Sequence, residues 1–349
     1  MTPPDSPRAD ARAAAAVPDL ARLVRRIVVV MLAAVGLYGA LVLFRGLSQV
    51  GREFASFAWW TFAAACGLSF ANYILRFFKW SYYLKVLDIE GVPPGESFLT
   101  FLSGFVLTVT PGKVGEVFKS LVLHQTRGVP IERSAPIVVA ERVTDLIGVI
   151  AMIAFGSLGF DGGLVWAAAG SAVVLALLVF VASPDLAGIL LGMLPRLPGP
   201  AGRVGARLEP RIATALGQLR TLCSPRRLVW PTLLSVLGWS LEGVGLWVIL
   251  GGFGQTTSLP LSAFFYATAT LAGALIPLPG GLGVTDKLLE EQLAYLGGCD
   301  PTAATAAMLL VRLATLWFAV VVGFGALAIL RATHPGFKVD ANDVSGGQT

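Results

Sequence analysis

Residues Ser97 to Asp145 read SFLTFLSGFVLTVTPGKVGEVFKSLVLHQTRGVPIERSAPIVVAERVTD, and the interruption inside this stretch decides the fold. Two short apolar runs, Phe98 to Val109 and Val114 to Leu123, flank Thr110-Pro111-Gly112-Lys113. Neither run reaches the roughly 20 residues that a helix needs to cross hydrocarbon. The Pro-Gly break therefore predicts the tip of a re-entrant hairpin. Irregular backbone at membrane depth is tolerated only inside protein or beside a water-filled cavity. The longer apolar segment that follows carries Glu141, Arg142 and Asp145, so the stretch predicts a cavity lined by charge.

The pattern occurs twice. From Phe264 the chain reads FFYATATLAGALIPLPGGLGVTDKLLEEQLAYLGGCDPTAATAAMLLVRLATL. Pro111, Gly112, Gly115 and Lys119 correspond to Pro279, Gly280, Gly283 and Lys287, and after a two-residue gap Arg142 corresponds to Arg312. Projected backwards, that spacing matches Asn72 with Glu242. Interrupted hydrophobic segments at matching positions of two halves point to a transporter-type site at the repeat interface.

Composition sets the class. Of 349 residues, 55% are hydrophobic and 13% charged, which describes a polytopic membrane protein. Cys66, Cys223 and Cys299 show no paired spacing, and His124 and His334 are the only histidines, which argues against a zinc site, a disulfide framework or a Ser-His-Asp hydrolase. The net charge of +5 fits cytoplasmic loops, since no nucleic-acid signature accompanies it. No cofactor is implied.

In chain order, residues 1–24 are expected to be a disordered cytoplasmic terminus and residues 333–349 a disordered tail. A single membrane domain spans residues 25–332, with repeats at about 57–160 and 228–330. Ile27 to Phe44 reads as a first crossing. A helix from about Phe57 to Tyr83 carries Arg76, Lys79 and Trp80, which read as a basic cytoplasmic exit with aromatic anchors. Trp59, Trp60 and Trp166 read as interface residues too. Residues 183–227 hold seven arginines and mark a cytoplasmic linker. Val204, Leu208, Ile212, Leu216 and Leu219 give that linker an amphipathic helix, lying either on the inner leaflet or across the base of the bundle. The expected architecture is all-α, with about six full crossings and two re-entrant hairpins arranged as an inverted internal repeat. It is expected in the cell inner (plasma) membrane with both termini cytoplasmic.

Glu141 and Asp145, four apart, share a helical face beside Arg142. Arg312 and Glu242 sit deep in their own segments, where a lone charge costs at least ~3 kcal/mol. The expected pairs are Arg312 with Glu242, and Arg142 with Glu141 or Asp145. Arg142 and Arg312 are candidates for holding an anionic headgroup, since guanidinium geometry matches phosphate. The pairs could instead only pin helices together. Gly112, Gly280 and Gly283 would let backbone amides approach an anion at broken helix ends, or simply permit tight turns. Lys113, Lys119 and Lys287 are further candidate anion partners, with snorkelling as the alternative for the last two.

Taken together, PGKVGEVFKSLVL, AERVTDLIG, PLPGGLGVTDKLL and VRLATLW resemble a flippase-like integral membrane family related to the membrane region of lysylphosphatidylglycerol synthase. The similarity covers about residues 25–332. It implies movement of a phospholipid between leaflets, without the soluble synthase domain. The positions that carry over are Pro111, Gly112, Glu116, Lys119, Glu141, Arg142, Asp145, Glu242, Pro279, Gly280, Gly283 and Arg312. Three functions compete. The first is a translocase for a lipid or lipid-linked glycan with an anionic headgroup, with membrane lipids as partners. The second is an intramembrane enzyme acting on a lipid or polyprenyl phosphate, for which no convincing catalytic constellation is present. The third is an anion or small-solute carrier.

Overall fold

Two helices of equal length frame the molecule: α1, Trp59–Val86, and α6, Pro225–Gly252, each 28 residues. At 1.5 Å per residue each is about 42 Å long, more than the ~30 Å of a bilayer core. The computed structural model describes residues 51, 53–110, 116–157, 200–276 and 278–334, and scattered positions between 158 and 199. The expected first crossing at Ile27 to Phe44 and the first hairpin tip with Pro111, Gly112 and Lys113 lie outside the described residues. Residues 47–333 form one compact unit.

After α1 come α2 (Pro94–Ser103), which tightens into a 3₁₀ turn at Gly104–Leu107, then α3 (Phe118–Arg127) and α4 (Ile131–Gly156). The linker helix is α5 (Pro200–Leu222). After α6 follow α7 (Leu259–Leu275), a 3₁₀ turn at Pro279–Gly281, α8 (Val284–Glu291) and a π-helical turn at Gln292–Leu296. Helix α9 (Pro301–Arg312), a second π turn (Leu313–Trp317) and α10 (Phe318–Thr333) then form one continuous rod. No strand occurs among the described residues.

Local chemistry sets these limits. Proline occupies the first turn of α2, α6, α7 and α9, where its missing N–H is an orphan in any case. The Asp300 carboxylate caps α9 by accepting from the Thr302 and Ala303 amides, at 2.9 and 3.3 Å. Gly128, at φ 68°, ends α3 with its N–H on the His124 carbonyl. By length and composition, α1, α6 and the Pro301–Thr333 rod can each cross a membrane. Helix α4 has the length, at 26 residues, but Glu141, Arg142 and Asp145 interrupt its apolar character.

Helices α1 and α6 pack antiparallel. Gly252 lies against Thr61 and Phe57, Gly245 against Ala65 and Gly238 against Asn72, so position falls in one as it rises in the other. The remaining contacts exchange between the halves. Helix α7 packs on α4, where Gly156 meets Phe264 and Pro260. Helix α10 packs on α2 and its 3₁₀ turn, where Gly323 meets Leu102, Phe105 and Val106. Small residues let helix backbones approach this closely.

Two apolar clusters result. One gathers Val149, Met152 and Ile153 of α4 with Leu246–Leu250 of α6, much of α7, and α9. The other gathers Tyr73 to Leu87 with Phe101, Phe105, Ile137, Ala140 and Ala326. Ile137 and Ala140 lie in one cluster and Val149 in the other, so Glu141, Arg142 and Asp145 fall on the seam between them. The end of α5 also joins the second cluster through Leu219 and Leu222, which favours packing across the base of the bundle for this part of the helix. Trp80, expected at an interface, is fully buried and donates to Ser97 Oγ at 3.3 Å. Trp59 and Trp60 are exposed.

A side chain at Gly156 or Gly323 would collide with backbone. An added Cβ would lie 2.6 Å from the Pro260 carbonyl oxygen, or 2.7 Å from the Val106 amide nitrogen. Gly156→Val and Gly323→Val should each lower stability by about 1–3 kcal/mol. Thermal unfolding in detergent reads this as a Tm several degrees lower, while Gly217→Ala, inside α5 with open space around it, should keep or raise Tm.

Candidate functional site

The ionisable residues on the seam surround a cavity of about 790 Å³ between the two halves. Arg76, Arg142 and Arg312 line it, with Asp145, Glu242, Asn72 and Gly280. Leu146, Val149, Leu271 and Leu275 supply apolar wall. The glycine turn of the second half adjoins the end of the first apolar run here: a Cβ built at Gly280 would lie 3.1 Å from Val109 Cγ1 and 3.2 Å from Leu316 Cδ2. Gly280, Gly281 and Gly283 have φ of 60°, 66° and 86°, a left-handed run that excludes ordinary side chains.

On the first-half side, five charges alternate. The Arg76 guanidinium donates to Glu116 at 3.2 Å, and Glu116 also accepts from Arg142 at 2.9 Å. Arg142 in turn lies 3.0 Å from Asp145 Oδ2, and Asp145 Oδ1 accepts from Lys79 Nζ at 2.6 Å. Lys79 also donates to Thr144 and Ser235, at 3.2 and 2.9 Å. Beside this chain Lys119 pairs with Glu141, its ammonium 4.8 Å from the Trp80 ring centre and 5.3 Å from that of Phe101. A cation over an aromatic face gains from the ring quadrupole.

The second-half side is simpler. Arg312 Nε lies 2.7 Å from Asp286 Oδ1, and its Nη2 donates to the Gly280 carbonyl at 2.6 Å. Asp286 Oδ2 accepts the Gly283 amide at 2.8 Å, so one carboxylate fixes both the turn and the arginine. Glu242, the partner expected for Arg312, instead takes hydrogen bonds from Asn72 (2.7 Å), Ser69 (3.2 Å) and Tyr266 (3.4 Å).

In each pair the guanidinium is the more open member. The side chains of Arg142, Arg312 and Arg76 are 23%, 13% and 11% exposed, against 1% for Glu116 and 3% for Asp286. The carboxylates hold the arginines from behind while the arginines border the cavity.

Of the positions singled out in the sequence, Arg142, Asp145, Glu242, Gly280 and Arg312 meet at the cavity. Glu116, Lys119 and Glu141 are buried in the ion pairs next to it, and Pro279 and Gly283 belong to the turn around Gly280. Lys287 does not join them: its side chain is 66% exposed and pairs with Glu291. Arg142 takes Asp145, as expected, while Glu141 goes to Lys119. Arg76 and Lys79, read as a cytoplasmic exit, are held inside the protein, and Lys79 is fully buried. Their three-residue spacing on one helical face beside buried Trp80 was the available signal. Asp286 carried no repeat signal, since its counterpart in the first half is Phe118 and the matched lysines stand one position later.

The chain belongs to the family described as the lysylphosphatidylglycerol synthase TM region, which it matches over residues 26–323. It is 26% identical over 283 residues to a UPF0104 membrane protein of Methanothermobacter thermautotrophicus, a match covering 74% of this chain and 82% of that relative. With its apolar helices, it is a multi-pass helical membrane protein.

Asp286→Ala should remove the counter-charge of Arg312 and the acceptor of the Gly283 amide together. Breaking a buried pair from one side costs about 3–5 kcal/mol. The neighbouring Lys287→Ala removes only an exposed pair and should stay within about 0.5 kcal/mol. Detergent thermal unfolding of the two variants, side by side, checks the contrast.

Proposed function

We propose that the protein is a translocase that carries a lipid, or a lipid-linked glycan, with an anionic headgroup from one leaflet to the other. The observation that carries this reading is the group of three guanidiniums bordering one cavity, each backed by a more deeply buried carboxylate. Guanidinium forks match phosphate oxygens, and a cavity with apolar walls suits an amphiphile. A headgroup that enters would be held while its acyl chains remain in hydrocarbon. It moves without covalent change.

In this reading the chain crosses the inner (plasma) membrane about six times, with both termini in the cytoplasm and both broken segments re-entering the membrane. The antiparallel packing of α1 and α6 supports an inverted relation between the halves, as do the reciprocal contacts of α7 with α4 and α2 with α10. Membrane lipids are the partners. Broken helices at the interface of inverted repeats are the setting in which secondary transporters bind their ligands.

The test is leaflet exchange of fluorescent and spin-labelled anionic lipids in liposomes holding the purified protein. A charge-assisted hydrogen bond is worth about 1.5–3 kcal/mol, so Arg142→Ala, which leaves Glu116 with Arg76 and Asp145 with Lys79, should slow exchange roughly ten- to a hundredfold with folding intact, and Arg312→Lys, which keeps a cation for Asp286, should slow it in the same direction. Absence of exchange for every lipid, with released phosphate or an altered lipid by mass spectrometry, would transfer the site to an enzyme.

A further inference from the structure

The rod that begins at Pro301 changes its winding directly after Arg312. Across Leu313–Trp317 it is π-helical, and the Phe318 N–H bonds to the Leu313 carbonyl, five residues back. No proline or glycine lies in this stretch to break the helix from within. A π turn inside an α-helix is rare and needs support from its surroundings. That support comes from α1. The Tyr73 hydroxyl donates to the Thr315 carbonyl at 3.0 Å, and the ring stacks on Phe318 at 6.0 Å and meets Phe105 at 4.9 Å between centres. Within the rod, Thr315 Oγ1 donates back to the Val311 carbonyl at 2.8 Å, a bond of the kind that bends helices.

The turn decides where Arg312 points. Beyond it α10 is fixed, since Gly323 lies against the backbone of Leu102, Phe105 and Val106. Rewinding the turn to α would shift everything before it by one residue, about 100° around and 1.5 Å along the rod. Arg312 would then leave Asp286 and the Gly280 carbonyl, and with them the border of the cavity. Its neighbours mark the alternatives: Val311 is fully buried and Leu313 is 46% exposed.

We propose that Tyr73 is a positioning residue for Arg312: its hydroxyl holds the π turn, and the turn aims the guanidinium at the Gly280 carbonyl and the cavity. None of the hydrogen bonds or ring contacts of Tyr73 reaches Asp286 or the glycine turn, so an effect there has to travel through the rod. The inference concerns the geometry of the site and stands apart from the translocase reading, since its test involves no lipid transport.

The experiment is hydrogen exchange, read by mass spectrometry, on the purified full-length protein in maltoside detergent. Two segments are compared. One is Leu313–Trp317, and the other is the glycine turn, whose Gly281, Leu282 and Gly283 amides bond to Leu278, Pro279 and Asp286. Tyr73→Phe removes one hydroxyl and keeps the ring. It should speed exchange roughly fivefold in both segments, while the stretch around Gly323 stays as it was. Deleting Leu313 takes out the extra residue and lets the rod run as an α-helix with Arg312 in its present place. Tyr73→Phe combined with that deletion should therefore return the glycine turn to the exchange rate of the unaltered protein.

Unchanged exchange at Leu313–Trp317 in Tyr73→Phe overturns the proposal. Faster exchange there with an unaltered glycine turn also overturns it, because Tyr73 would then only pack. So does a folded double variant whose glycine turn is no better protected than that of Tyr73→Phe. Should the double variant not fold, the comparison of the two segments in Tyr73→Phe decides alone. Should Tyr73→Phe not fold, the deletion of Leu313 by itself decides: the glycine turn has to keep its exchange rate, and faster exchange is fatal.

Discussion

An ionised side chain in apolar surroundings has to meet its counter-charge within the protein, and this requirement organises the seam between the two hydrophobic clusters. Lys79, Asp145, Glu116, Glu141 and Asp286 are all buried, and each lies in an ion pair or a shared ion pair. The pairs tie α1 to α4, α3 to α4, and α8 to the rod that begins at Pro301, and Lys79 adds a hydrogen bond from α1 to Ser235 of α6. Helix packing thus follows from neutralisation as well as from apolar burial. The cavity is where the surface of that neutralised layer is left open, and the guanidiniums are its open face.

Matched positions in the two halves have diverged where their surroundings differ. Lys119 lies beneath Trp80 and Phe101 and needs Glu141, whereas Lys287 projects outward with Glu291. Arg142 shares two carboxylates, while Arg312 has Asp286 and a backbone carbonyl from the left-handed glycine turn. A repeated sequence pattern therefore carries an asymmetric set of charges.

Much of the helical plan was legible in the sequence. The α1, α4, α6 and Pro301–Thr333 segments were readable as long apolar runs, and the second break as Pro-Gly-Gly between α7 and α8. The candidate arginines were readable because charge inside an apolar run is rare. The partners were not. Periodicity places Glu141, Arg142 and Asp145 on one helix, but which cation reaches which acid depends on how α1 and α3 approach it. Lys79 shows the difficulty: its sequence neighbours are those of an interface lysine, and only the packing of Ser235 and Asp145 around it makes it interior.

The π-helical turns bear on how such a duplicated pattern tolerates change in length. Lys119 and Lys287 are 168 positions apart, but Arg142 and Arg312 are 170 apart, so the second half is longer between lysine and arginine. The turn at Gln292–Leu296 lies within that interval. A π turn holds more residues than an α turn, and this one closes α8 at Leu296, ahead of Pro301 where the rod begins. Extra residues can thus be absorbed as a local widening without moving the rod. An arginine needed at one depth can remain there while the count of residues leading to it drifts.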